Sequence, residues 1–128
     1  MTHTIIKDKY PIYTTNIAKS ETNYTNTSDI IKYLKTKIEN HDTAKYIADF
    51  QHFEHTTSIN GEIAEGIKDC QLVIFCFGKK IPDGQMTAAR PRSISVTEYD
   101  DKFEISFLEA PAETANDTMQ EWVKELLK

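Results

Sequence analysis

The sequence predicts a single α+β domain, with a mixed or antiparallel sheet and helices packed on one face. Three observations carry this. Residues 28–40 and 111–126 place apolar side chains at helical spacing, Leu72–Phe77 is apolar on both parities, and residues 94–107 alternate about a short turn. The expected order is β-α-β-α-β-β-β-α. At 128 residues and 14.7 kDa, the chain should bury about two thirds of its unfolded surface, enough for one core without disulfide or metal. No repeat and no Pro-, Gly- or Ser-rich linker divides it, so residues 1–128 read as one domain.

Each element has a local reason. Tyr10–Ser20 reads as a first strand of poor alternation. The first helix starts at Thr27 or Ser28, whose hydroxyls can accept from orphan amides, and buries Ile30, Ile31, Leu34 and Ile38. It stops near Asn40, with His41 beside its negative end. Ala44–Thr57 is read as a strand for its β-branched and aromatic content, although Tyr46, Phe50 and Phe53 also fit helical spacing. At about 3.3 Å per residue that strand would run roughly 45 Å, so it must bend or end early. A short helix over Gly61–Asp69 turns Ile63, Ile67 and Cys70 inward, and Gln71–Phe77, ending at Gly78, is a central strand. A two-residue turn at Asp100-Asp101 then pairs Tyr99 with Lys102, Val96 with Ile105 and Ile94 with Phe107. Last, Pro111 sits in the first turn of a helix that buries Ala115, Met119, Trp122 and Leu126.

Charge excludes some functions and suggests one. A net charge of −5 argues against nucleic acid and anionic lipid as partners. Met1–Tyr13 carries Lys7, Asp8 and Lys9 and no secretory signal, so the cytoplasm is expected and the sequons at Asn23, Asn26 and Asn116 are discounted. Cys70 and Cys76 have neither zinc nor redox spacing and read as free thiols. Against this background the only two arginines lie in Arg90-Pro91-Arg92, and Lys79 to Arg92 carries +3, leaving −8 for the rest. Pro91 favours an extended Arg90, so both guanidiniums should project to one side, roughly 6.6 Å apart, at the edge of the core face shared by Ile94 and Val96. Two such groups want an anion. The expected function is therefore a non-enzymatic module that binds an anionic small molecule or an acidic protein through Arg90 and Arg92, with Lys79 and Lys80 assisting. Internal pairing with a native carboxylate, or a bulge turning them to solvent, are the structural alternatives.

A second reading is enzymatic. On a strand, His52 and Glu54 share a face and could act as an acid-base pair near the arginines. His52 and His55 would then face opposite sides and hold no metal, though on a helix they could. A third reading is a homo-oligomer, with Tyr46 or Phe50 on an uncovered sheet face pairing with a second copy. No glycine-rich phosphate loop, nucleophile elbow or H-E-x-x-H is present, and no cofactor is expected.

Val73-Ile74-Phe75-Cys76-Phe77-Gly78-Lys79-Lys80, Ala89-Arg90-Pro91-Arg92-Ser93 and Ile105-Ser106-Phe107-Leu108-Glu109-Ala110-Pro111 together resemble a family of small uncharacterised bacterial proteins. The resemblance spans most of the chain. It implies a free-standing domain and assigns no activity, ligand or catalytic residue.

Overall fold

The computed structural model describes residues 1–128. Six strands, β1 (Thr2–Ile6), β2 (Tyr10–Ala18), β3 (Ala44–Phe50), β4 (Asp69–Phe77), β5 (Arg92–Glu98) and β6 (Lys102–Leu108), form one sheet in the order β1-β2-β6-β5-β4-β3. Every neighbouring pair is antiparallel. Helices α1 (Thr27–Glu39) and α3 (Glu113–Lys124) cover one face, and a shorter α2 (His52–Ser58) follows β3. None of the helices is long and apolar enough to cross a membrane.

The core forms where alternating strand residues meet the two apolar helix stripes. Val73 and Phe75 of β4, Ile94 and Val96 of β5, and Phe103, Ile105 and Phe107 of β6 bury against Ile30, Ile31, Leu34 and Ile38 of α1 and Met119, Trp122 and Val123 of α3. Phe77 stacks on Trp122 with ring centroids 5.6 Å apart, and Phe75 meets the same indole at 5.8 Å. The Tyr33 hydroxyl donates to the Trp122 carbonyl at 2.6 Å, fastening α1 to α3, and burial pushes its phenol above the ordinary range.

The β5–β6 hairpin has the expected register: Val96 faces Ile105, and Tyr99 N–H donates to Lys102 O at 2.9 Å. This hairpin, not β4, is the centre of the sheet; β4 is interior but second from the edge.

Several boundaries differ from expectation. The strand read over Ala44–Thr57 ends at Phe50, and residues 52–58 are helical. That helix ends in a double closure: Asn60 N–H donates to Thr57 O at 3.1 Å and Gly61 N–H to Thr56 O at 2.8 Å, with Asn60 at φ 57°. Phe53 then turns toward Ile63, Ile67 and Cys70, and where a helix was expected over Gly61–Asp69 residues 61–68 are irregular chain and Asp69 opens β4. Ahead of β2, Lys7 (φ 51°) and Asp8 (φ 59°) make a left-handed turn that adds the unforeseen edge strand β1. The cap of α1 is Asn26, whose side chain accepts from Asp29 N–H at 2.9 Å, one residue before the expected cap. Pro111 precedes the first turn of α3 rather than lying in it.

Candidate functional site

Arg92 opens β5 opposite Phe75, on the parity of Ile94 and Val96, so it lies at the end of the helix-covered face as the alternation requires. Arg90 is extended (φ −124°, ψ 149°), and the Arg90–Pro91 peptide is cis. Both side chains are half-buried. They line a cleft of about 320 Å³ with Phe77 and Gly78 at the end of β4, Met86 and Ala89 of a 3-10 turn, His41 and Thr43 after α1, and Ala110, Pro111, Ala112, Thr114, Ala115 and Thr118 at the start of α3.

The partners of the two guanidiniums decide what this cleft can do. Arg92 donates one terminal N–H to Ala89 O at 3.1 Å and the other to Leu108 O, while its Nε is buried without an acceptor. Arg90 donates one terminal N–H to Lys80 O at 2.9 Å. Its other terminal nitrogen lies 3.5 Å from where a Cβ on Gly78 would stand, at a position with φ +99°. A side chain there would be strained by the backbone and pressed against the guanidinium. The four ion pairs of the protein are His3–Glu109, Lys19–Glu98, Lys37–Glu125 and Lys68–Asp100, so neither arginine has a carboxylate. Burial pulls the Arg92 pKa below its ordinary value, although a guanidinium stays charged.

The other end of β5 shows how this fold treats a buried charge that it satisfies. Burial works against ionisation of Glu98, yet hydrogen bonds from Lys19 (2.8 Å), the Thr27 hydroxyl (2.9 Å) and the Thr27 N–H (3.0 Å) hold its carboxyl below the usual range. Arg90 and Arg92 have only neutral carbonyls.

Three features absent from the sequence reading complete the cleft. His41 accepts at Nδ1 from the Thr43 N–H (3.2 Å), which puts the neutral ring's proton on Nε2, and Nε2 has no protein partner. Its ring stands edge-on to Phe77 at 5.5 Å and Trp122 at 5.9 Å. The N-cap of α3 is Ala112, with no side-chain acceptor, and the Glu113 and Thr114 N–H groups make no backbone bond. Buried Asn116 reaches back from α3 with both ends of its amide, accepting from Ala110 N–H (2.7 Å) and donating to Ala110 O (3.0 Å). That double clamp fixes the cleft wall and leaves Asn116 unreachable as a sequon. His41 and Asn116 come from positions far from Arg90 in sequence, so no local pattern joins them.

The other candidates lie elsewhere. Lys79 and Lys80 are exposed and do not line the cleft, although the Lys80 carbonyl holds Arg90. His52 and Glu54 are exposed on α2, two residues apart on a helix, so the shared strand face does not exist and no hydrogen bond joins them. Nor are they near the arginines, because α2 packs by Cys70 while the cleft meets β4 at Phe77, roughly 23 Å along the strand. His52 and His55 both lie against Phe50, at 5.0 and 5.6 Å, and no group of three His, Cys, Asp or Glu side chains comes together as a metal site. Tyr46 packs toward the core under Lys35, on the helix-covered side, so of the two aromatics expected on the open face only Phe50 is there. Cys70 and Cys76 are free and half-buried.

Comparison with known proteins matches residues 1–128 to a family of unknown function, DUF6858. The chain belongs to that family. Its fold is similar to the crystal structure of an uncharacterized conserved DUF302 protein from Bacillus stearothermophilus, with a TM-score of 0.51 and 14% identity over 86% of this chain and 80% of that one. At that identity the likeness concerns the fold alone. No curated protein matches the chain. For this DUF6858 chain the α+β architecture is therefore shared, while the arginine cleft must be read from its own geometry.

Proposed function

We propose that the chain binds the anionic group of a small molecule in the cleft between β4, β5 and the start of α3. Arg90 is the ligand-facing guanidinium, and Arg92 is a fixed positive charge behind it. One observation carries this reading: two guanidiniums are held half-buried beside a cleft by neutral carbonyls, in a protein of net charge −5 that gives neither of them an acid. Leaving a cation partly desolvated and unpaired is costly, and an incoming anion recovers that cost. The unspent amides of α3 and the Nε2–H of His41 add donors of the right sign. Lys79 and Lys80, exposed on the adjoining chain, strengthen the field that draws an anion in. The concavity favours a small molecule over the surface of an acidic protein.

A thermal-shift panel of carboxylates and phosphates tests the proposal. A ligand at about a hundredfold its Kd should stabilise the wild-type chain by about 2.7 kcal/mol, and Arg90→Ala should abolish the shift. Equal shifts in wild type and Arg90→Ala would remove the cleft as the binding site.

A further inference from the structure

Resting on that reading of the cleft, we infer that its occupant is a monocarboxylate with an apolar body, not an amino acid, a sugar phosphate or a free inorganic anion. The argument is a census of what the walls can give and take. No Asp, Glu, Asn or Gln lines the cleft. Several nearby carbonyls already accept: Lys80 O from Arg90, Ala89 O and Leu108 O from Arg92, Ala110 O from Asn116, and Ala112 O from the Ala115 and Asn116 amides. The Thr118 hydroxyl is donated to Thr114 O at 2.9 Å, and the Thr43 hydroxyl lies 3.3 Å from His41 Nδ1. Unspent donors remain in the second terminal nitrogen of Arg90, the buried Nε–H of Arg92, His41 Nε2–H and the first amides of α3. The cleft therefore favours a ligand that brings acceptors and offers no carboxylate to pair with a cation. An ammonium group or a ring of sugar hydroxyls would lose its water for a few neutral hydroxyl and carbonyl oxygens, with no carboxylate in return.

The rest of the surface is hydrocarbon from Phe77, Met86, Ala89, Ala110 and Pro111. Such walls gain from an apolar body and gain nothing from a bare anion. Head-group size follows from the arginines. Both terminal nitrogens of Arg92 and one of Arg90 hold main-chain carbonyls, so the open edge of Arg90 takes two oxygens, all that a carboxylate has, whereas the further charged oxygens of a phosphate would be turned toward the hydrocarbon walls. At about 320 Å³ the cleft is at the small end of ligand sites, room for one ring or a short chain.

Isothermal titration of the whole chain with four probes separates the possibilities. 3-Phenylpropanoate and phenylalanine differ by one ammonium group; acetate lacks the body; inorganic phosphate lacks the body and carries more charge. The expected result is that 3-phenylpropanoate binds at least about tenfold more tightly than each of the other three, and that Arg90→Ala removes its binding. Phenylalanine or acetate matching it, or phosphate exceeding it, with Arg90→Ala still eliminating binding, would overturn this inference and leave the anion-binding proposal standing. Binding of none of the four, or binding indifferent to Arg90→Ala, would overturn both.

Discussion

Arg90 and Arg92 are two residues apart, yet their side chains have different jobs. Arg92 spends both terminal nitrogens on carbonyls from two segments, Ala89 and Leu108, and so ties the entry of β5 to the exit of β6. Arg90 makes one bond to Lys80 O and keeps the rest of its fork open. Truncating Arg92 takes the donor from two carbonyls on two segments and leaves the space of its half-buried stem unfilled, whereas truncating Arg90 removes one bond to an exposed carbonyl. Arg92→Ala should therefore cost about 1–3 kcal/mol in urea denaturation, and Arg90→Ala should stay within about 0.5 kcal/mol of wild type. The reverse order would show that their roles are exchanged. At this scale the sequence was informative where one strand's alternation sufficed: the parity of Ile94 and Val96 locates Arg92. It placed His41 only at the end of the first helix and Asn116 only as a discounted sequon, because their roles at the cleft depend on contacts closed by the tertiary fold.

Among the elements, those with a long periodic pattern were legible and those set by short-range chain chemistry were not. The stripes of α1 and α3 and the register of the β5–β6 hairpin agree with the structure because a one-residue slip would expose an entire apolar face. The stretch from Ala44 to Ser58 satisfied two periods at once, and the helix won at residue 52, where Asn60 and Gly61 supply a terminus that period alone does not reveal. The start of α1 is fixed from another element: Glu98, at the end of β5, accepts from the Thr27 N–H and hydroxyl. Because these bonds and Lys19 lower its carboxyl pKa in the folded state, its contribution is fully present above the unfolded value of 4.5 and is lost as pH falls through the folded value. Glu98→Gln should cost about 1–3 kcal/mol near neutrality and narrow its deficit against wild type on the acid side of pH 4.5. Denaturation at pH 7 and pH 3.5 measures this; a deficit that widens toward acid would contradict it.

Over the whole molecule, β5 spans two opposite treatments of charge. One end carries a carboxylate fully satisfied at the start of α1, and the other an arginine pair with no acid, beside a cleft lined by no carboxylate or side-chain amide. The α+β class was readable from composition and periodicity, and it agrees with the structural neighbour. The cleft was not, because its walls come from residues 41 to 118 and meet only when α3 folds back over the end of the sheet. The direct test is a nitrogen-15 NMR titration with 3-phenylpropanoate, following the Arg90 side-chain Nε–H and the backbone amides of Gly78, Glu113 and Thr114. The account predicts saturable shifts concentrated on those four signals and lost in Arg90→Ala. Shifts scattered over surface lysines, or centred on α2 around His52, would contradict it.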